Sequence, residues 1–152
     1  MATLQSEQLF EMQAELGEFQ EVGPTPRGAR LIAPVIGGTF AGPKLKGEIL
    51  PGGADWLLMR ADGIRELDVR ITLRTDDDQL IYMSYRGVSS ITPEIIQRIT
   101  RGEPVDPIEY YFRTTPVFET AAEKYSWLNR IVAVGVGQRL PSAVSYTVYE
   151  IL

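Results

Sequence analysis

The sequence predicts an all-β protein, with about nine strands and one short helix closing into an antiparallel up-and-down barrel or a strongly curled sandwich. Two observations carry this. Apolar and polar residues alternate with a period of two, most cleanly in "ELDVRITLRT", where Leu67, Val69, Ile71 and Leu73 oppose Asp68, Arg70, Thr72 and Arg74. Turn signals such as "RADG", "TDDDQ" and "RLPSA" separate the alternating runs, so most connections read as hairpins. At 152 residues the chain fits one domain, 1–152, and can bury a core without staples. Residues 1–8 are expected to be disordered or loosely attached.

The first strand covers residues 9–16, where Phe10, Met12, Ala14 and Leu16 alternate with Glu11, Gln13 and Glu15. "EVGPTPRG" then breaks the chain. "ARLIAPVIGGTF" reads as a second strand with an edge or bulge at Pro34 or Gly37-Gly38, since proline cannot donate to a ladder. "AGPKLKG" reverses direction and "KLKGEIL" begins a third strand. Pro51-Gly52-Gly53-Ala54 is expected to be a tight hairpin, because glycine at both central positions tolerates positive φ. That turn would set Asp55 and Glu48 on one face as diagonal neighbours, and Trp56 on the other with Leu58, Ile49 and Leu45.

A three-residue loop at Asp76–Asp78 would align Leu73 with Ile81 and Ile71 with Met83, with Asp78 left-handed. The short helix lies near 93–101: Thr92 caps it, Pro93 fills the first turn, Ile95, Ile96 and Ile99 form the stripe, and Gly102 ends it. "IEYYFRTTPVFE" is a strand broken near Pro116, and "TAAEKYSWLN" a helical or looped crossover. "RIVAVGVGQRL" and "AVSYTVYEIL" form a terminal hairpin about Pro141-Ser142. Gly135 and Gly137 do not match a nucleotide-binding fingerprint and are expected to admit a close side chain, Trp127.

Composition narrows the chemistry. With neither histidine nor cysteine, a Ser-His-Asp or Cys-His nucleophile, a disulfide and any His- or Cys-ligated metal are excluded. No metal and no cofactor is therefore expected, weak oxygen ligation at Asp76-Asp77-Asp78 aside. The net charge of −5 belongs to one segment: Glu7, Glu11, Glu15, Glu18 and Glu21 all precede the first basic residue, Arg27. An acidic chain with a neutral body argues against nucleic acid. No apolar run reaches the roughly 18 residues of a membrane span, and no secretory signal is visible, so the expected location is cytoplasmic.

The blocks "GGTFAGPKLKGEILPGGADW", "ELDVRITLRTDDDQLIY", "EYYFRTTPVFET" and "WLNRIVAVGVGQR" resemble uncharacterised protein family 0311, also called domain of unknown function 3237. The likeness runs from about Leu9 to Tyr149. It implies a lipocalin-like antiparallel β-barrel and no particular activity. The family usually carries glycine where Asp78 stands, a difference that touches only the turn.

Two function classes follow. The first is a barrel holding one small apolar or aromatic ligand, either binding it or moving a proton on it in an isomerase, lyase or cyclase type of reaction. Asp55 would be the acid or base, with Arg113 or Tyr82 as oxyanion partner. Glu48, Trp56, Asp68, Tyr111, Trp127 and Asn129 would line the site. Arg113, in a strongly apolar strand, is expected inside the barrel beside Asp55. Each candidate has a plainer alternative: Asp55 as a turn-capping residue, Trp56 as core, Arg113 as a structural bridge, and Asp68 and Tyr82 as members of a solvated ladder. The second class is a filled barrel serving as an interaction module. In either case the "IVAVGVG" strand, apolar on both faces, predicts a homodimer or higher homo-oligomer.

Overall fold

The computed structural model describes residues 2–152. Ten strands form one antiparallel sheet: β1 (Ser6–Leu16), β2 (Gln20–Thr25), β3 (Gly28–Ala41), β4 (Lys46–Ile49), β5 (Gly53–Met59), β6 (Arg65–Thr75), β7 (Leu80–Ser89), β8 (Phe112–Glu119), β9 (Val132–Arg139) and β10 (Ala143–Ile151). The sheet closes into a barrel because β1 pairs with β10 on one side and β3 on the other. The ladder with β10 begins at Ser6, so part of the tail expected to be loose is strand. Helix α1 (Pro93–Thr100) lies between β7 and β8. A short 3₁₀ turn, Pro107–Glu109, precedes β8, and a longer 3₁₀ helix, Glu123–Arg130, carries the crossover from β8 to β9, where one helix was expected in all. No helix of the described residues is long and apolar enough to cross a membrane.

The barrel has eight staves because two of them are each built from two consecutive strands. β4 and β5 follow one another between the same neighbours, β3 and β6. Pro51-Gly52-Gly53 is therefore a bulge within one stave and not the hairpin that its glycines suggest. The backbone keeps its direction through the bulge, with the Leu50 amide donating to Thr72 O at 2.9 Å. Both glycines are needed there. Gly52 takes a φ of +109°, and a Cβ on Gly53 would stand 2.3 Å from Arg70 O. The hairpin's facing falls with it: Ile49 and Asp55 both point inward, Glu48 and Trp56 outward.

β1 and β2 likewise run in succession along β3. "EVGPTPRG" thus belongs to strand and hairpin, and β2 with the start of β3 rises as a lip over one barrel end. The irregularity expected in β3 falls at Gly37-Gly38, where Gly38 has a φ of +141°.

Elsewhere the local signals hold. Leu73 pairs with Ile81 and Ile71 with Met83 across a three-residue loop, and Asp78 has a φ of 65°. Thr92 Oγ1 accepts the Ile95 amide at 3.3 Å, Gly102 follows the helix at a φ of +78°, and Ile99 is buried. β8 continues through Pro116 on its β7 side. On the other side its pairing with β9 covers Arg113 and Thr114, so the missing proline N–H falls where that ladder has ended.

The core fills one half of the barrel. Phe10 meets Phe40 and Phe118 edge-on at ring separations of 5.5 and 6.0 Å, above the inward row Ile71, Leu73, Ile81 and Met83. The 3₁₀ helix plugs that end with Tyr125 and Leu128, and the Tyr125 hydroxyl donates to Asp77 Oδ1 at 2.8 Å. Gly135 and Gly137 do admit close side chains, but these come from the adjacent strand β8 and not from Trp127. Thr114 Oγ1 lies where a Gly135 Cβ would stand, and the Phe112 ring where a Gly137 Cβ would. With Ala133, Gly135 and Gly137 inward, the outer valines Val132 and Val136 stay exposed, so β9 is buried on one face only.

Candidate functional site

Strand ends gather at the unplugged end of the barrel: β5, β7 and β9 finish there, and β6, β8 and β10 begin. The side chains that point inward near those ends do not meet at the axis. They leave a cavity of about 330 Å³, roofed by Phe19 from the β1–β2 junction and by Ile96 of α1. Its walls are mostly apolar, including Leu31, Leu57, Leu67, Ile91 and Val144. Into this surface project Asp55, Tyr85 and Tyr146, with Arg65, Ser89 and Arg139 beside them.

Asp55 is 9% exposed and points into the cavity because the bulge restores the inward phase of its stave. Its Oδ1 accepts the Asp68 backbone amide at 3.0 Å. Burial pushes the carboxyl up to about 7; the Asp68 amide opposes that rise, the Asp68 charge adds to it, and Arg30 opposes it. Tyr85 and Tyr146 pack edge-on at 5.2 Å, with Phe112 against Tyr146 at 5.5 Å. Their hydroxyls are coupled to one another and feel the Asp55 charge, and burial raises both above the ordinary phenol value. They stay protonated throughout the physiological range and can only donate to, or accept from, a guest.

Arg65 and Arg139 stand on the rim. Arg139 Nη1 donates to Ala143 O at 3.3 Å, and its guanidinium lies 5.8 Å from the Phe19 ring centre. Arg65 Nε is buried with no hydrogen-bond partner. Burial lowers the pKa of both, and for Arg65 the Arg139 charge lowers it further.

Of the residues singled out from sequence, the structure brings Asp55 alone into the cavity. Arg113 is on the outer wall: β8 turns Phe112, Thr114 and Phe118 inward, so Arg113 faces out, donates to Phe112 O at 2.9 Å and lies 5.0 Å from the Tyr111 ring centre. The expected Asp55–Arg113 pair does not form. Trp56, Asp68 and Tyr111 border the same outer groove, with Arg70 over Trp56 and Arg86 4.0 Å from Asp68. Tyr82 is exposed on the outward row of β7. Glu48 is also outward and paired with Arg74.

Trp127 and Asn129 belong to the plugged end. Lys44 lies over the Trp127 ring, and Asn129 fixes the crossover through both polar backbone atoms of Thr120 at 2.8 and 3.0 Å. Asp77 is taken up by Thr75, Tyr125 and Lys124, and among the described residues no group of three or more acidic side chains is placed to hold a metal ion.

Sequence reasoning missed Tyr85, Tyr146, Arg65, Arg139 and Ser89. A signal for most of them was present. Tyr85 continues the inward row Ile81–Met83, Tyr146 the row of Val144 and Val148, and Arg65 the row of Leu67 and Val69. Each is a polar group on an otherwise apolar face.

A UPF0311 protein of Rhodopseudomonas palustris is 35% identical over 150 residues, covering 99% of this chain and 98% of its own. The solved structure of an R. palustris protein of unknown function superposes with a TM-score of 0.91 at 34% identity and full coverage of both chains. A β-barrel like protein of Acinetobacter baumannii superposes at 0.87, with 41% identity over 100% of this chain and 98% of its own. An enzyme from Penicillium herquei shares the fold at a TM-score of 0.74 and 21% identity, covering 100% of this chain and 97% of its own. The family model described as "Protein of unknown function (DUF3237)" matches residues 4–151, and on that match and these relatives the chain belongs to the UPF0311/DUF3237 family.

Proposed function

We propose that the protein binds a small, largely apolar carbonyl compound in the barrel mouth and moves a proton on it without a metal. The observation that carries this reading is that a buried carboxyl, Asp55, shares a mostly apolar cavity of about 330 Å³ with two buried phenols, Tyr85 and Tyr146. A carboxyl poised near pH 7 is matched to general acid–base work, and it is the apolar wall that poises it. The ionised carboxylate takes a proton from the carbon beside the carbonyl. The C–H electron pair becomes the enolate π bond, and the charge gathers on oxygen, where Tyr85 or Tyr146 donates a hydrogen bond. Return of the proton to another carbon is isomerisation, and loss of a leaving group from the enolate is a lyase step. The likeness to the Penicillium herquei enzyme, at 21% identity, speaks for the fold alone.

The test is hydrogen exchange. A panel of aryl and cyclic ketones is incubated with the protein in D₂O, and loss of the α-proton signal is followed by NMR. At least one ketone should exchange faster with the wild type than with Asp55→Asn, at a rate that rises with pH through about 7. Equal exchange by both proteins across the panel would sink the reading.

The half-packed lumen weighs against the filled-barrel module, since its mouth end is open. Assembly belongs to the same proposal. Val88, Val117, Val132 and Val136 are exposed on the outer faces of β7, β8 and β9 and support a homodimer or higher closed oligomer. Sedimentation showing only the 17.0 kDa species at micromolar concentration would exclude it.

A further inference from the structure

Two arginines share the cavity rim with no carboxylate to hold them. Arg65 opens β6 and Arg139 closes β9, and the antiparallel order β6–β7–β8–β9 brings both ends to the same rim, with Ser89 and Phe112 between them. Among the described residues neither guanidinium has an acidic oxygen within 4.0 Å, although the arginines at 60, 74, 86, 98 and 101 all do. Glu21 borders the same cavity but is exposed and forms no such pair. The charges felt at Asp55 come from Asp68 and Arg30, so the floor carboxyl does not serve as the partner either.

Like charges half-withdrawn from water oppose one another and are costly to keep. Arg139 spends one N–H on Ala143 O, and Arg65 Nε, out of reach of water, is unsatisfied. An anion between two such groups at a cavity mouth would offset both their repulsion and their desolvation.

We propose that Arg65 and Arg139 bind the carboxylate of the ligand, so that the guest is an aryl or alicyclic carboxylic acid with its charged end at the rim and its apolar body against Leu31, Leu57, Leu67 and Val144. A carboxylate suits the site because guanidinium N–H groups match its two oxygens in one plane. Beside the two arginines the rim offers one hydroxyl, Ser89, and the walls that follow are mostly apolar, which suits a carboxylate on an apolar body better than a phosphate. Such a guest spans the cavity from the rim toward Asp55, which fixes the end of the molecule that is presented to the carboxyl. The inference rests on the pocket reading above and adds the substrate class to it.

The probes are 2-naphthoate and its neutral counterpart 2-naphthamide, titrated calorimetrically at pH 7 into wild type, Arg65→Gln and Arg139→Gln. Wild type should bind the acid about tenfold or more tightly than the amide, a difference of about 1.4 kcal/mol. Each variant should lose about that preference and keep its amide affinity. Ligand-free Arg65→Gln should melt no lower than wild type, since it relieves an unpaired charge, and Arg65→Lys, which keeps the charge but not the fork, should recover only part of the preference. Equal binding of acid and amide would overturn the assignment, as would undiminished naphthoate binding in the Arg65→Gln/Arg139→Gln double variant. So would displacement of naphthoate by equimolar inorganic phosphate, the mark of an adventitious ion only. If the amide binds and the acid does not, this inference falls and the pocket stands. If the acid binds through the arginines but no ketone shows Asp55-dependent exchange, the proton-transfer reading falls and this one stands. If neither probe binds, this inference falls, and the ketone exchange assay alone decides the proton-transfer reading.

Discussion

Replacing Asp55 by asparagine should stabilise the protein at high pH while abolishing proton transfer. An unfolded chain titrates this carboxyl near 3.8, and the folded chain near 7. Below 3.8 both states hold the proton and burial carries no charge penalty. Between the two values the unfolded chain releases the proton and the folded chain keeps it, so wild-type stability falls as pH rises. Above about 7 both states are ionised and the full penalty applies. At about 1.4 kcal/mol per pH unit, the gap corresponds to roughly 4 kcal/mol. Asp55 keeps 9% of its surface exposed to the cavity, so the measurable part should be about 2–4 kcal/mol. Asparagine has the same shape, can still accept the Asp68 amide through its carbonyl, and never ionises.

The Tm difference, variant minus wild type, should therefore grow by about 5–10 °C between pH 4.5 and pH 8.5 for a domain of this size. Differential scanning fluorimetry at both pH values measures it, with the D₂O exchange assay run alongside. A Tm difference that is the same at both pH values would show that Asp55 does not titrate between them, and the argument from its burial would fail. A variant that is stabilised at high pH yet retains full exchange would separate the carboxyl's electrostatics from any chemistry.

Three other substitutions test the frame around the site. Gly53→Ala places a Cβ 2.3 Å from Arg70 O, a backbone atom that cannot step aside, so it should cost about 2 kcal/mol or more and disturb the facing of Asp55; an unchanged denaturation midpoint would refute the close approach. Tyr125→Phe removes one of three donors to Asp77, whose carboxyl is held below the usual range by Thr75, Tyr125 and Lys124 in that order. That stabilisation is present above the ordinary carboxylate pKa and lost as pH falls through the lowered one, so the variant's Tm deficit at pH 7 should shrink on strong acidification, and a pH-independent deficit would point to packing instead. Arg113→Gln, on the outer wall, should leave the Asp55-dependent exchange rate within about twofold of wild type, and a loss of tenfold or more would return Arg113 to the site.

What the sequence made legible and what it hid divide along a physical line. Alternation, turn chemistry and helix caps are local. The Leu73–Ile81 register, the left-handed Asp78 and the Thr92 cap could be read because each is decided within a few residues. Pro51-Gly52-Gly53 could not, because a hairpin and a bulge make the same local demand for glycine. The two differ only in whether residues 46–49 pair with residues 53–59 or share β3 and β6 with them, and that choice is made by strands far away in sequence. The single misreading set Glu48 on the face of Asp55 and Ile49 on the face of Trp56, when Ile49 faces inward with Asp55 and Glu48 outward with Trp56. Arg113 failed differently: an apolar neighbourhood in sequence was taken for burial, although its place in the alternation after Phe112 turns it outward. The rule that separates outer-wall residues from site residues in this fold is inward phase, not local apolarity. Tyr85, Tyr146, Arg65 and Asp55 are the polar interruptions of apolar rows, and a barrel gathers such interruptions into one cavity wherever they fall at the same height along neighbouring staves.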